Sequence, residues 1–197
     1  MFYKWGYKIK SEAIDRLLQR IDSYSAKEQW DKAEAILDRL ILGRPWDKKL
    51  LLTKAYLDKR KWVVAGCSDH DLLRIAIKSF SRCTLLSGSV EAEINNATLL
   101  LISGQREEAY LKANEAAHRC RKLIVVKGKS SGICYSAIVA EVNLIQEKFL
   151  AAESWYKTAV SQNDSIPEYV SENVQLLLNH HVPDPKIIAK LKNSLRP

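Results

Sequence analysis

Apolar residues recur every three or four positions along most of this chain, the period of an amphipathic helix. The clearest stretch is Ile94 to Cys120. Val90, Ile94, Ala97 and Leu101 form one stripe, Ser103-Gly104 breaks it, and Ala109, Ala113, Ala116, Ala117 and Cys120 form a second. The second stripe is made of small residues, so a partner helix can approach closely. A glycine at the break allows a tight reversal. The pattern predicts a helix–turn–helix hairpin too small to bury its own apolar face.

The rest of the chain supplies similar hairpins. Ile14, Leu17, Leu18, Ile21 and Tyr24 follow Ser11, the expected N-cap, and Ser25-Ala26-Lys27 turns the chain into Trp30, Ala33, Leu37 and Leu40, with Pro45 beyond. Leu50–Arg60 is predicted helical through Leu51, Leu52, Ala55 and Tyr56, and Asp71–Leu86 through Leu73, Ala76, Phe80 and Cys83. Tyr135, Ile138, Val139 and Val142 mark a further helix, paired with Phe149, Ala152, Tyr156 and Ala159. Pro167 opens a helix bearing Tyr169, Val170, Val174, Leu177 and Leu178. Asp184-Pro185 opens the last, with Ile187, Ile188, Leu191 and Leu195.

The small residue anchoring each second helix falls at Ala33, Ala76, Ala109 and Ala152, at intervals of 43, 33 and 43 residues. The middle interval resembles the tetratricopeptide repeat, with its period of about 34 residues. The outer two fit that period plus about nine residues, assigned to loops at Trp62–Asp69 and Lys122–Ser131. The expected fold is all-α: a tetratricopeptide-like α-solenoid of about four helical hairpins plus C-terminal capping helices. Its expected parts are an N-terminal aromatic and basic arm (1–10), the solenoid (11–162) and capping helices (163–197).

Charge adds a modest bias. Thirty-one Lys and Arg against 23 Asp and Glu give +8, spread over short clusters such as Lys59-Arg60-Lys61 and Arg119-Cys120-Arg121-Lys122. Basic residues suit helix C-termini, and they also suit an acidic or nucleic-acid partner. The four cysteines, Cys67, Cys83, Cys120 and Cys134, form no C-x-x-C pair, which fits a reducing, cytoplasmic setting. The first residues carry no signal-peptide core. No apolar run approaches the roughly 18 residues of a membrane span.

Catalytic signatures are weak. Gly128-Lys129-Ser130 resembles the end of a phosphate-binding loop, but Leu123 stands where the first glycine would be. Cys67 and His70 make one C-x-x-H pair without a second. The neighbours His180 and His181 diverge on a helix, and His118 lies on a solvent side. Glu107-Glu108 opens a helix, where acids suit the dipole. No G-x-S-x-G occurs. The expectation is a protein that is not an enzyme, with no cofactor and no metal. Asn95 and Asn96 stand out because Asn is a poor mid-helix residue; in one reading an Asn bonds the backbone of a neighbouring helix, in the other it faces the groove and binds a ligand amide.

Several stretches carry a resemblance. They are Leu52-Thr53-Lys54-Ala55-Tyr56 with Arg60-Lys61-Trp62, Ala76-Ile77-Lys78-Ser79-Phe80, Ile94-Asn95-Asn96-Ala97-Thr98-Leu99-Leu100-Leu101 with Gly104, and Tyr135 to Glu141. Over about residues 40–162 the chain resembles the TRAF-binding helical-repeat domain of the ASK-type mitogen-activated protein kinase kinase kinases and its bacterial relatives. The resemblance implies a non-catalytic regulatory scaffold that joins larger signalling proteins.

The expected function is therefore a protein–protein interaction scaffold or regulatory adaptor, holding an acidic protein or peptide segment on a concave face. Lys49, Tyr56, Lys59, Glu91, Asn95, Thr98 and Glu141 are assigned to that face. Lys49 and Lys59 are placed on the exposed side of their helix, away from Leu51, Leu52 and Ala55. One alternative is a nucleic-acid-binding repeat using a basic loop of Arg121, Lys122, Lys127 and Lys129. Another is an inhibitor or accessory subunit of one enzyme.

Overall fold

The computed structural model describes residues 11–127, 135–161, 168–182 and 184–194, which carry ten α-helices and no strand. The all-α class is as expected. The N-terminal arm, the Gly128-Lys129-Ser130 segment and Cys134 lie outside the described residues. Contacts group the chain into two compact units, Met1–Ser87 and Gly88–Pro197.

The first unit contains α1 (Ser11–Ala26), α2 (Trp30–Gly43), α3 (Lys48–Val64) and α4 (His70–Ser87). Each helix packs on the next along the chain. Ile14, Leu18 and Ile21 of α1 meet Ala33, Leu37 and Leu40 of α2 and Leu50 and Leu57 of α3 in one core. Two aspartates set helix starts: Asp47 Oδ1 accepts from the Lys49 and Leu50 amides at 3.0 and 3.3 Å, and Asp69 Oδ1 from Asp71 and Leu72 at 2.9 and 3.0 Å. Such caps satisfy amides that have no intrahelical partner.

The second unit contains α5 (Val90–Ile102), α6 (Arg106–Lys127), α7 (Tyr135–Ile145), α8 (Phe149–Ser161), α9 (Glu168–His180) and α10 (Pro185–Ser194). Helix α5 touches α6, α7 and α9, and every residue from Ala92 to Leu101 is buried. It behaves as a central helix covered all round, which explains its near-continuous apolar run. Asp184 Oδ1 caps α10 through the Lys186 amide at 2.8 Å, with Pro185 in the first turn as the sequence suggests.

Ala33, Ala76, Ala109 and Ala152 are all fully buried. Three of them share a turn. Glu28, Gly104 and Glu147, each five residues before its alanine, have φ of 56°, 86° and 61°. At each turn the next amide reaches back five residues, with Gln29 to Tyr24, Gln105 to Leu100 and Lys148 to Asn143 at 2.9, 2.9 and 2.8 Å. A second bond, from the left-handed residue to the carbonyl three before it, completes a Schellman motif.

The two expected insertion loops are corrected. Helix α3 continues through Trp62 to Val64, so its connection to α4 is only residues 65–69. Leu51, Ala55, Asp58 and Trp62 fall on one buried face at helical spacing, and the Trp62 side chain is fully buried. That burial draws the extra turn into the helix. Likewise α6 extends to Lys127, where a loop from Lys122 was expected; residues 128–131 lie outside the described residues. The surplus of the first long interval is thus taken up mostly as helical turns.

Candidate functional site

The polar residues of the first unit converge where α2, α3 and α4 meet. Lys54 Nζ lies 2.7 Å from Glu34 Oε1 and 2.9 Å from Asp58 Oδ1. Lys61 Nζ lies 2.9 Å from Glu34 Oε2. Ser79 Oγ donates to Asp58 Oδ2 at 2.6 Å. Burial alone would raise the Glu34 carboxyl, but the two lysines outweigh it and hold it below its usual 4.5. Burial would likewise lower Lys54; its two carboxylate partners hold it above its ordinary value. Asp58 is buried and hydrogen-bonded on both oxygens, the condition under which an interior charge is tolerated.

Lys59 is a second correction. The sequence pattern puts it on the exposed side of its helix, but it is 3% exposed. Its Nζ stands 5.8 Å from the centre of the Tyr56 ring, within cation–π range. Tyr56 in turn meets Phe80 edge-on at 5.4 Å and is half-buried. The helix period explains the error: Lys59 lies four residues after the buried Ala55 and turns the same way. Lys49 is exposed and pairs with Asp15 at 2.7 Å.

In the second unit three of the four assigned residues are interior. Thr98 Oγ1 and Asn173 Nδ2 both donate to Glu141 Oε1, at 2.9 and 2.7 Å, joining α5 and α9 to α7. All three residues are buried. Tyr156, fully buried on α8, has its hydroxyl pushed well above the usual range, first by burial and then by the Glu141 charge. Asn95 is buried and donates to the Glu91 carbonyl of its own helix at 2.9 Å. Glu91 is half-buried in the first turn of α5. Of the seven assigned residues, then, Lys59, Asn95, Thr98 and Glu141 lie inside, and Lys49 is the one classed as exposed.

Of the basic-loop residues, Arg121 and Lys122 are exposed on helix α6 rather than on a loop. Lys127 ends α6, and Lys129 lies outside the described residues. Cys83 and Cys120 are buried as small apolar groups, and burial pushes the Cys67 thiol up. His118 and His70 are exposed. Among the described residues no group of His, Cys, Asp and Glu could hold a metal ion. No described helix is long and apolar enough to cross a membrane.

Three ties escaped the sequence reading. Arg119 Nε on α6 reaches Glu93 Oε2 on α5 at 2.8 Å, and burial raises the Glu93 carboxyl against that partner's pull. Gly88 packs close to this arginine; a Cβ there would meet Arg119 Nη1 at 3.3 Å. Glu147 Oε1 joins Arg106 Nη2 at 2.7 Å and His181 Nε2 at 2.9 Å, linking three helix turns. A carboxylate inside an apolar run, as at Glu93 and Glu141, was the available signal for a buried tie.

The second unit also carries a surface cleft. Beside the Glu147 turn, the start of α8 and the face of α10 border an open cleft of about 550 Å³. Phe149, Leu150, Ala151, Ile187 and Leu191 make it mainly apolar, and Glu147, Lys148, Glu153 and Lys190 stand around it. Such a size falls within the span of binding pockets, roughly 300–1,000 Å³. Comparison with protein-family models, with curated proteins and with solved structures returned no match.

Proposed function

We propose that this chain is a non-catalytic interaction module, an adaptor that holds a segment of a partner protein. The observation that supports it is where the two kinds of side chain lie. Interior polar groups such as Asp58, Glu93 and Glu141 are used to tie helices to one another. Large apolar groups, by contrast, stand in solvent: Leu42 and Trp46 at the α2–α3 corner, Leu111, Val125 and Val126 on α6, and Leu150 on α8. Exposed Trp and Leu at helix corners are the raw material of protein contacts, since buried aromatic anchors dominate interface energetics.

The test is capture from native lysate with and without nuclease. Wild type is compared with Leu42→Ser/Trp46→Ser, with Leu150→Asp, and with Arg121→Glu/Lys122→Glu. Nuclease-resistant capture of a protein, weakened by either apolar-surface variant, is the expected result. Capture that disappears with nuclease and with Arg121→Glu/Lys122→Glu would replace the adaptor with a nucleic-acid-binding repeat, whose affinity must fall steeply with salt.

A further inference from the structure

We infer that the cleft between α8 and α10 is a docking site for an apolar peptide segment flanked by acidic residues, an inference that rests on the adaptor reading. The floor comes first. Helix α10 packs on α8 through Leu191, which is buried, yet Ile187 and Ile188 on the same helix stay half-exposed and Leu150 is 77% exposed. The short helix α10 therefore covers only part of the apolar surface at the start of α8. What remains is wide enough for a few side chains of a helical or extended segment.

The charges around the rim then choose the partner. Two of the four are carboxylates, and both are already neutralised. Glu147 is paired with Arg106 at 2.7 Å and hydrogen-bonded to the His181 ring at 2.9 Å, and Glu153 is paired with Lys157 at 2.7 Å. The other two are lysines. Lys148 Nζ donates to the neutral Gln146 Oε1 at 2.9 Å. The Lys190 charge lies near enough to Glu153 to help hold that carboxyl low, after Lys157 has already paired with it. Both lysines are exposed. An apolar floor whose rim carries this surplus of positive charge complements a segment whose apolar residues are bracketed by Asp or Glu. A basic-flanked segment would meet like charge, which selects against it.

Fluorescence anisotropy tests this with three labelled peptides. All carry leucines three and four residues apart; one is flanked by glutamates, one by lysines and one by serines. The full chain should bind the glutamate-flanked peptide most tightly. Leu150→Asp should weaken it by about tenfold or more. Lys148→Glu/Lys190→Glu should remove the preference and favour the lysine-flanked peptide. Leu150 and both lysines are exposed, and circular dichroism checks that each variant keeps its helix content. Equal binding of all three peptides, or binding indifferent to Leu150→Asp, overturns the inference. So does concentration-dependent self-association lost in Leu150→Asp, which would give the cleft to a second copy. Lysate capture separates the two claims: undiminished capture by Leu150→Asp, but loss in Leu42→Ser/Trp46→Ser, keeps the adaptor and removes this cleft from it.

Discussion

Asn173 Nδ2 donates to Glu141 Oε1 over 2.7 Å, and this bond ties α9 to α7 inside the second unit. The same oxygen receives Thr98 Oγ1 from α5 at 2.9 Å, so one carboxylate serves three helices. A hydrogen bond to a buried charge contributes more than a neutral one, and removing its donor leaves the charge poorly solvated. Asn173→Leu should therefore cost about 2–3 kcal/mol, read as a shift in the urea midpoint with the slope unchanged. Tyr156→Phe should behave oppositely. The Tyr156 hydroxyl is buried and has no hydrogen-bond partner among the described residues. Its removal should be neutral or stabilise by up to about 1 kcal/mol. A clear destabilisation by Tyr156→Phe would mean the hydroxyl is held.

The Schellman turns give a test of backbone strain. Gly104 and Glu28 occupy the same left-handed position, at φ 86° and 56°. Nothing lies within 4 Å of a Cβ built on Gly104, so Gly104→Ala measures backbone conformation alone. It should cost about 1 kcal/mol. Glu28 is exposed, and its substitution should act chiefly through φ. Glu28→Gly should stabilise by about 0.5–1 kcal/mol. Thermal melts of the two variants should shift in opposite directions.

These turns also show what the sequence could and could not reveal. Small residues at Ala33, Ala76, Ala109 and Ala152 are readable because the helical period fixes which face they occupy, and all four are fully buried. Gly104 is readable as a turn; Glu28 and Glu147, in the same conformation, carry no comparable signal. The end of α3 was misread because Arg60 and Lys61 look like a helix terminus, whereas Trp62 lies eleven residues after Leu51 on the same buried face. Which polar residues go inside was not legible at all for Thr98 and Asn173. Their partner Glu141 is 43 and 32 residues away, and only packing brings the three together. The α8–α10 cleft is of the same kind, assembled from two separated segments.

Acid should probe the first unit through Glu34. Burial raises its carboxyl, Lys54 and Lys61 lower it more, and the net displacement is below the usual 4.5. A carboxyl depressed in the folded state contributes stability that is fully present above its unfolded value and is lost as pH falls through its folded value. Wild type should thus exceed Glu34→Gln in stability near neutrality, and the gap should close as pH drops below about 4.5. Chemical denaturation at a series of pH values checks this. A gap that stays constant into acid would show that the two lysines do not hold this carboxylate.

Lys49 and Lys59 lie on one helix and look interchangeable as sequence, yet the fold separates them sharply. The Lys49 side chain is 65% exposed, and its pair with Asp15 is a surface pair. Reversing it should change stability by at most about 1 kcal/mol, with salt reducing the effect. Lys59 is 3% exposed beside the Tyr56 ring. Reversing it puts a carboxylate against the ring's negative face, in the helix turn that carries the buried Asp58. A buried charge stripped of its compensation costs about 3–5 kcal/mol. Lys59→Glu should therefore unfold early in urea, while Lys49→Glu melts close to wild type. Joint reversal of the two would abolish partner capture by unfolding the first unit, whatever surface the partner uses. Lys49→Glu alone is the variant that reads binding, and Lys59→Met, which keeps the apolar stem and drops the charge, separates packing from electrostatics. If Lys59→Glu proves as stable as wild type, the side chain is not buried in solution and its original place on the exposed face is restored.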